Sequence, residues 1–239
     1  MSASDRAQTG SRRLWCLTLA VLILSATNTL AVQTRFERLT AREGLHQRTI
    51  TCGLQDHLGY LWFGSEDGLL RYDGYTFREF RTDPARTDSL ASNLVYALLE
   101  DHNGHLWVGT VGGGLHRFER GSETFVRYQP DPDSPHAISH SAVISLLEDG
   151  QGHIWAGTEG GGLNRLDPVS GHFTHFRQAD AAGKGVSFDS MWHLYEDLQG
   201  IIWIGTHGGG LNRFDPLSGA FSVYRHDPLR SAATPVVLD

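Results

Sequence analysis

Six histidines are the first residues in this sequence whose side chains could do chemistry, because imidazole is a common ligand of metal ions. They fall in or beside short turns that recur along the chain. None has the His-x-His or His-Glu-x-x-His spacing that brings two imidazoles to one metal ion. We therefore predict solvated turn histidines and no metal site. The six are His57, His102, His105, His153, His193 and His207.

Three Gly-Gly-Gly runs, beginning at Gly112, Gly160 and Gly208, could be taken for phosphate-binding loops. No Gly-Lys-Ser or Gly-Lys-Thr follows them, and they join predicted strands, whereas a phosphate-binding loop opens a helix. Glycoside hydrolysis needs two carboxylates at a set separation, and no acid stands convincingly outside the repeated pattern of the chain. The sequence thus predicts no catalytic residue and no cofactor. Its formal charge of −7 argues against a nucleic-acid partner.

The same phrase returns around four tryptophans, 45 to 48 residues apart, and it organises the chain. Each copy reads Asp-x-x-Gly-x-x-Trp. The Asp side chain can accept a hydrogen bond from a backbone amide, and the Gly can take the positive φ of a hairpin turn. A later segment of each copy reads Gly-Leu-x-Arg. The repeated residues are Asp56, Asp101, Asp149 and Asp197, then Gly59, Gly104, Gly152 and Gly200, then Trp62, Trp107, Trp155 and Trp203, and finally Arg71, Arg117, Arg165 and Arg213.

Each copy divides into four short strands, which is the signature of a β-propeller blade. We predict an all-β fold at residues 32–239, a partial β-propeller in which four four-stranded antiparallel blades form an incomplete ring. Neighbouring blades are expected to bury one tryptophan per blade and to cover both faces of the first two strands. The predicted blades are residues 49–81, 94–129, 142–177 and 190–225.

The two ends of the chain carry separate predictions. Residues 1–31 combine a positive Arg12-Arg13 pair, an apolar run and small residues before Ala31, which indicates a signal peptide or an N-terminal anchor. The rest of the chain is then expected to be periplasmic or otherwise extracytoplasmic. Residues 35–40 look like the outer strand of a closing blade whose other strands are missing. We therefore expect at least one further blade, and a closed four-bladed ring is the alternative.

The recurring arginine of the Gly-Leu-x-Arg segment is predicted to be structural. Its guanidinium would pair with an acid such as Asp73 or Asp167, or with carbonyl groups between blades. Binding of an anionic ligand by these arginines is the alternative.

The Asp-x-x-Gly-x-Leu/Ile-Trp phrase and the Gly-Leu-x-Arg segment resemble the two-component regulator propeller repeat. The resemblance covers residues 36–228, and the connector at residues 179–189 departs from it. It implies a non-catalytic periplasmic sensor region of a protein whose output, a histidine kinase or a diguanylate cyclase, is absent from this chain. It also implies an unknown extracellular ligand, which could be a carbohydrate. Membrane contact would come only from the N-terminal segment or a missing C-terminal region, and a homodimer is one expected assembly.

A ligand is expected at the central face of the propeller, where loops from several blades converge on a rigid scaffold. The least repetitive loop residues are therefore the candidates for binding it. An exported glycan-active enzyme is one alternative, and it would need an acid pair at that face. A protein-interaction scaffold is the other. The candidate ligand-binding residues are Glu66, Asp67, Val111, Glu159, Lys184 and His207.

Overall fold

The computed structural model describes Leu45 and residues 49–179, 185–226 and 235–236. The predicted signal segment (residues 1–31) and the predicted outer strand (residues 35–40) lie outside the described residues. In the part that is described, no helix has the length and apolar character needed to cross a membrane.

The described residues form four antiparallel sheets in which consecutive strands pair with each other. This confirms the predicted all-β class and the four four-stranded sheets. A two-residue strand, β17 (Pro235–Val236), pairs with the edge of the fourth sheet. The sheets comprise β1 (Ile50–Gln55), β2 (Leu61–Ser65), β3 (Gly68–Tyr72) and β4 (Phe77–Phe80), then β5 (Val95–Glu100), β6 (Leu106–Thr110), β7 (Gly114–Glu119) and β8 (Thr124–Tyr128), then β9 (Val143–Glu148), β10 (Ile154–Thr158), β11 (Leu163–Asp167) and β12 (His172–Phe176), and finally β13 (Met191–Glu196), β14 (Ile202–Thr206), β15 (Gly210–Asp215) and β16 (Ala220–Tyr224).

Glycine is required where the turns bring two backbones together. Gly114 has a φ of +84°, and a Cβ at this position would lie 2.3 Å from the carbonyl oxygen of Tyr128 in the neighbouring strand β8. A side chain there would therefore push β7 away from β8. The glycines of the Asp-x-x-Gly turns also have positive φ, as predicted. They are Gly59, Gly104, Gly152 and Gly200.

Three hydrophobic cores hold the sheets together, and each core lies between two consecutive blades. Trp155 of the third blade packs among residues of the fourth, with its ring centroid 5.6 Å from that of Phe214. Trp62 of the first blade meets Phe118 of the second in the same way, at 5.1 Å. Each sheet gains from its neighbour the burial that it could not achieve alone.

One face of the fourth blade is not covered by any other sheet in the described residues. Trp62, Trp107 and Trp155 are at most 1% exposed, whereas Trp203 is partly exposed and Leu211 is 41% exposed. The prediction of one buried tryptophan per blade is therefore right for three blades and wrong for the fourth. The physical reason is that a propeller tryptophan is buried by the following blade, and the fourth blade has no described follower.

The innermost strands contact one another in series, β1 with β5, β5 with β9 and β9 with β13, and the described sheets do not close into a ring. The second strands β6 and β10 are buried along their whole length, as predicted, whereas β2 and β14 of the two outer blades are only partly buried. The prediction that the first strands are also covered on both faces is wrong. Tyr96 in β5 is 41% exposed and Trp192 in β13 is 63% exposed, because one face of the innermost strands borders the centre of the blade array.

A buried polar residue in the third strand holds the connector that enters each later blade. The Oδ1 of Asn164 accepts a hydrogen bond from the backbone amide of Ser139 at 2.9 Å, and Asn212 binds its own connector in the same way. In the second blade the residue is His116, whose Nε2 accepts from the amide of Ala91 at 3.0 Å. These residues occupy the variable position of Gly-Leu-x-Arg, so one register position anchors three connectors.

Candidate functional site

The Asp of each repeat is bonded to the Trp that follows six residues later. In the second blade, Oδ1 of Asp101 accepts hydrogen bonds from the backbone amides of Asn103 and His105, at 3.0 and 2.9 Å. The Oδ2 of Asp101 accepts from the indole Nε1 of Trp107 at 2.8 Å. The backbone bonds confirm the predicted turn, while the indole bond is visible only in the structure. The same three bonds recur at Asp56, Asp149 and Asp197.

These bonds determine the ionisation of the repeated carboxylates. Burial raises the pKa of the Asp101 carboxyl, but the hydrogen bonds from the Trp107 indole and from the His105 amide and ring outweigh burial, so the pKa is lowered overall. At Asp197, beside the partly exposed Trp203, the indole hydrogen bond is the largest cause and again lowers the pKa. The repeated acids are therefore charged structural acceptors, which makes them poor candidates for proton transfer.

Removal of one such acceptor should destabilise the fold. We expect Asp149→Ala to lower the free energy of unfolding by about 2–3 kcal/mol, because the buried Trp155 indole loses its acceptor. Urea denaturation followed by fluorescence measures the change. Asp167→Ala is the matched control, since Asp167 accepts hydrogen bonds in an exposed turn and should cost less than about 1 kcal/mol. Equal losses in the two variants would contradict this assignment.

His57, His102, His193 and His207 are exposed, as predicted, and His105 and His153 are partly buried; several of the six also have protein partners. The ring Nδ1 of His105 lies 3.0 Å from Oδ2 of Asp101, and His153 binds Asp149 in the same manner at 3.1 Å. Asp56 of the first blade has no such histidine partner among the described residues. Arg120 of the second blade takes this place, and its guanidinium donates a hydrogen bond to Asp56 at 2.7 Å. A cationic or hydrogen-bonding group thus supports each of these three buried carboxylates.

Two other histidines link consecutive blades. The Nδ1 of His57 lies 2.6 Å from the carboxylate of Glu100 in the second blade, and His102 binds Glu148 in the third blade. The hydrogen bond that His102 donates to the Glu148 carboxylate is the largest cause that raises the pKa of His102. Across the described residues, no three His, Cys, Asp or Glu side chains are grouped so that they could hold a metal ion.

The recurring arginines lie directly opposite the tryptophans in the strand register, as in the pairs Trp62–Arg71 and Trp107–Arg117. The guanidinium of Arg71 lies 5.6 Å from the Trp62 ring centroid and pairs with Glu123 of the second blade at 3.0 Å. The structural role is therefore supported, but Asp73 is the wrong partner. Asp73 accepts backbone amides within its own turn, and Asp167 does the same.

Glu123 is the one described residue other than glycine with a positive φ, of 54°. The equivalent positions in the third and fourth blades are Gly171 and Gly219, both with a φ of +72°. The carboxylate of Glu123 binds both Arg71 and Arg78 of the first blade. An inter-blade ion pair thus accompanies a backbone conformation that normally favours glycine.

A cavity of about 330 Å³ opens at the central face between the second, third and fourth blades. Equivalent positions of the three blades line it, namely the residue after the second strand and residues at the start of the innermost strand. The backbone amide of Glu159 donates to the carbonyl of Ala142 at 2.9 Å, and that of His207 donates to Ser190 at 2.9 Å. The same bond in the second blade joins Val111 to Leu94. The lining residues are Leu94, Tyr96, Val111, Ile144, Glu159, Ser190, Trp192 and His207.

The cavity brings together three of the six predicted ligand-binding residues, Val111, Glu159 and His207. Glu66 stands at the equivalent position of the first blade, after strand β2, but it does not line the cavity. Asp67, its neighbour, pairs with Arg81 at 2.8 Å. Lys184 lies outside the described residues. Ligand binding by these residues stays a prediction.

Sequence reasoning missed the two largest side chains of the cavity, Tyr96 and Trp192. The ring of Trp192 lies 5.5 Å from that of His207, measured between centroids. Both aromatic residues occupy the second position of an innermost strand, directly after the buried Val95 or Met191. The alternation of side chains along a strand could have identified both residues. The residue next to a buried apolar side chain points to the opposite face of the sheet.

Comparison with known proteins agrees with this architecture. Residues 89–112 and 137–160 match the family model described as two component regulator propeller. Histidine kinase P4 of Formosa agariphila is 38% identical over 56 residues, which are 23% of this chain and 4% of that protein.

Two solved structures from B. thetaiotaomicron are also similar to this chain. An extracellular domain assigned to a hybrid two component system superposes with a TM-score of 0.73 and 25% identity, over 80% of this chain and 26% of the other. A second such extracellular domain has a TM-score of 0.65 at 17% identity, over 86% of this chain and 33% of the other, and shows the fold alone. The chain thus spans a third or less of each of these three relatives. The two matched segments cover the first two strands of the second and third blades, and the same strand order and Asp–Trp bonds recur in the first and fourth blades, so the chain is similar to two-component regulator propellers.

Proposed function

We propose that this chain is the extracytoplasmic, ligand-sensing part of a two-component signalling protein. The observation that supports it most is the central cavity, in which Tyr96 and Trp192 expose aromatic surface and Glu159 exposes a carboxylate. The repeated tryptophans Trp62, Trp107 and Trp155, by contrast, are buried between blades. Exposed aromatic surface in a concave site with a few polar groups is typical of a binding pocket.

Sensing is favoured over catalysis by the chemistry of the cavity lining. Glu159 is the single carboxylate among the eight lining residues, whereas glycoside hydrolysis uses two that face each other. The repeated acids outside the cavity are committed to the indole and amide bonds of their own turns. This arrangement can bind and orient a ligand, but its lining does not contain the two carboxylates of a glycoside hydrolase.

The relatives support the proposed location and signalling role. The two solved structures described above are extracellular domains assigned to two-component systems, and a histidine kinase matches a short segment. We therefore place the ligand outside the cytoplasm, and we assign the signalling output to other regions of such a protein. Ligand binding between the second, third and fourth blades would shift how these blades pack, because the cavity and two of the inter-blade cores share the innermost strands.

A ligand screen on the full chain tests this function. A compound that binds in the cavity should raise the melting temperature and change the fluorescence of Trp192, since binding to the native state stabilises it. The panel should contain oligosaccharides and small amines, acids and alcohols. Trp192→Ala should abolish the response while the melting temperature without ligand changes little, because the side chain is 63% exposed.

Leu198→Ala is the control variant, since Leu198 is 98% exposed on the same blade and does not line the cavity. It should respond to ligand like the unaltered chain. A panel without any Trp192-dependent response, together with a stable protein partner captured on another face, would favour the scaffold alternative and contradict the proposed function.

A further inference from the structure

The central cavity is lined by an acidic side chain and by no strongly basic one. Among its eight lining residues there is no lysine or arginine, and Glu159 carries the one carboxylate. Other glutamates near the blade junctions are paired, as Glu100 is with Arg120 and Glu123 with Arg71. The Glu159 side chain is exposed and has no hydrogen-bond or ion-pair partner among the described residues. An anionic ligand would meet an unpaired negative charge, and a cationic one would find its counter-ion.

The aromatic rings of the cavity add to this preference. The face of an aromatic ring is negative and attracts a cation within about 6 Å of the centroid. In the blade cores this attraction is already satisfied within the protein, because Arg117 and Arg165 lie 5.9 and 5.7 Å from the ring centroids of Trp107 and Trp155. Neither Tyr96 nor Trp192 has such an arginine among the described residues.

The remaining lining is mainly apolar and limits hydrogen bonding. Leu94, Val111 and Ile144 contribute aliphatic surface, while Ser190 and His207 are the polar residues besides Glu159 and the aromatic side chains. The volume of about 330 Å³ suits a small molecule. A ligand with an apolar body and one positive centre would use every part of this lining.

We infer that the central cavity binds a small organic cation, an amine or a quaternary ammonium compound, between the Trp192 and Tyr96 rings and the Glu159 carboxylate. The inference rests on the proposed ligand-sensing function and specifies the chemical class of the ligand. The attraction has two sources, the charge of Glu159 and the negative faces of the two rings.

Choline and its neutral isostere 3,3-dimethylbutan-1-ol provide a matched pair of probes, because they differ in the charge of the bulky group. Trp192 fluorescence of the full chain should report tighter binding of choline by at least about tenfold. Glu159→Gln should weaken choline binding by about tenfold and leave the alcohol unaffected. Glu66→Gln is the control, since Glu66 has the same repeat position in the first blade but lies outside the cavity.

The outcomes separate this inference from the proposed function. Equal binding of the two probes, or unchanged choline binding in Glu159→Gln, overturns the cation preference. If oligosaccharides or acids give a Trp192-dependent response and choline gives none, the sensing function stands and the cation preference fails. If no compound of either panel gives a Trp192-dependent response, both fail.

Discussion

Trp155→Ala is expected to lower the free energy of unfolding by about 3–5 kcal/mol, the largest effect of any single substitution considered for this chain. The side chain is fully buried in the core between the third and fourth blades, where its ring contacts Phe176 and Phe214. Its loss leaves a cavity that the two sheets cannot close, because both are held in register by their own hydrogen bonds. Urea denaturation of the full chain measures the change.

Trp203→Ala is the matched comparison, since Trp203 has the same place in the repeat, the same bond to an Asp and a partly exposed ring. Its cost should be smaller by at least about 0.5–1.5 kcal/mol, the value of one aromatic pair, because the fourth blade has no described follower to supply a partner such as Phe214. Equal costs would show that the burial of these tryptophans does not depend on the next blade.

His116→Asn is expected to remove much of the acid sensitivity of this fold. The pKa of His116 is lowered from 6.5 to about 4, mainly by burial and also by the charge of Arg127, while a backbone hydrogen bond with Val108 acts in the opposite direction. Protonation of Nε2 would also place a donor against the amide of Ala91, which now donates to that atom. Asparagine already performs this task at position 164 of the third blade, so the variant retains an acceptor.

The sign of the effect follows from which state binds the proton. The folded pKa lies below the unfolded value, so the stabilisation is complete above pH 6.5 and is lost as the pH falls toward about 4. The loss over this window corresponds to on the order of 3 kcal/mol. Denaturation at several pH values should show a smaller decrease for His116→Asn than for the unaltered chain. A decrease of the same size would contradict the role of His116.

His102 supplies a control of opposite sign. Glu148 raises its pKa, so its contribution is complete below the unfolded value of 6.5 and is lost as the pH rises through the folded value. Because the His102 side chain is 64% exposed, the effect should be small, and His102→Asn should not alter the decrease at acidic pH.

The strands and turns could be predicted because their causes are local. Asp101 and Gly104 lie within one turn, and the residues that bond to the Asp101 carboxylate are two to six positions away. The variable position of Gly-Leu-x-Arg can also be read from the sequence, but its role in holding a connector cannot. A histidine or asparagine there binds an amide about 25 residues earlier, and only the packing of a connector against a sheet brings the two together.

Only part of the candidate site could be predicted, because the cavity depends on how separate blades pack together. Glu159 and His207 were selected because they break the repeat, and the structure places them in one cavity. Glu66 also breaks the repeat, yet the cavity is formed by the later three blades. Tyr96 and Trp192 were missed because their exposure depends on which face of an innermost strand borders the centre of the array.

The amino-acid sequence by itself determined the class of fold, the repeating sheet and the turn chemistry, since these follow from spacings of a few residues repeated four times. Tertiary structure alone decided which side chains are covered and which are free. Covering requires a neighbour from another blade, 40 or more residues away, as Trp155 and Trp203 show with the same local sequence and different exposure. The burial of the tryptophans, the ion pairs that join two blades and the central cavity are therefore properties of the stacked blades, and no single repeat contains them.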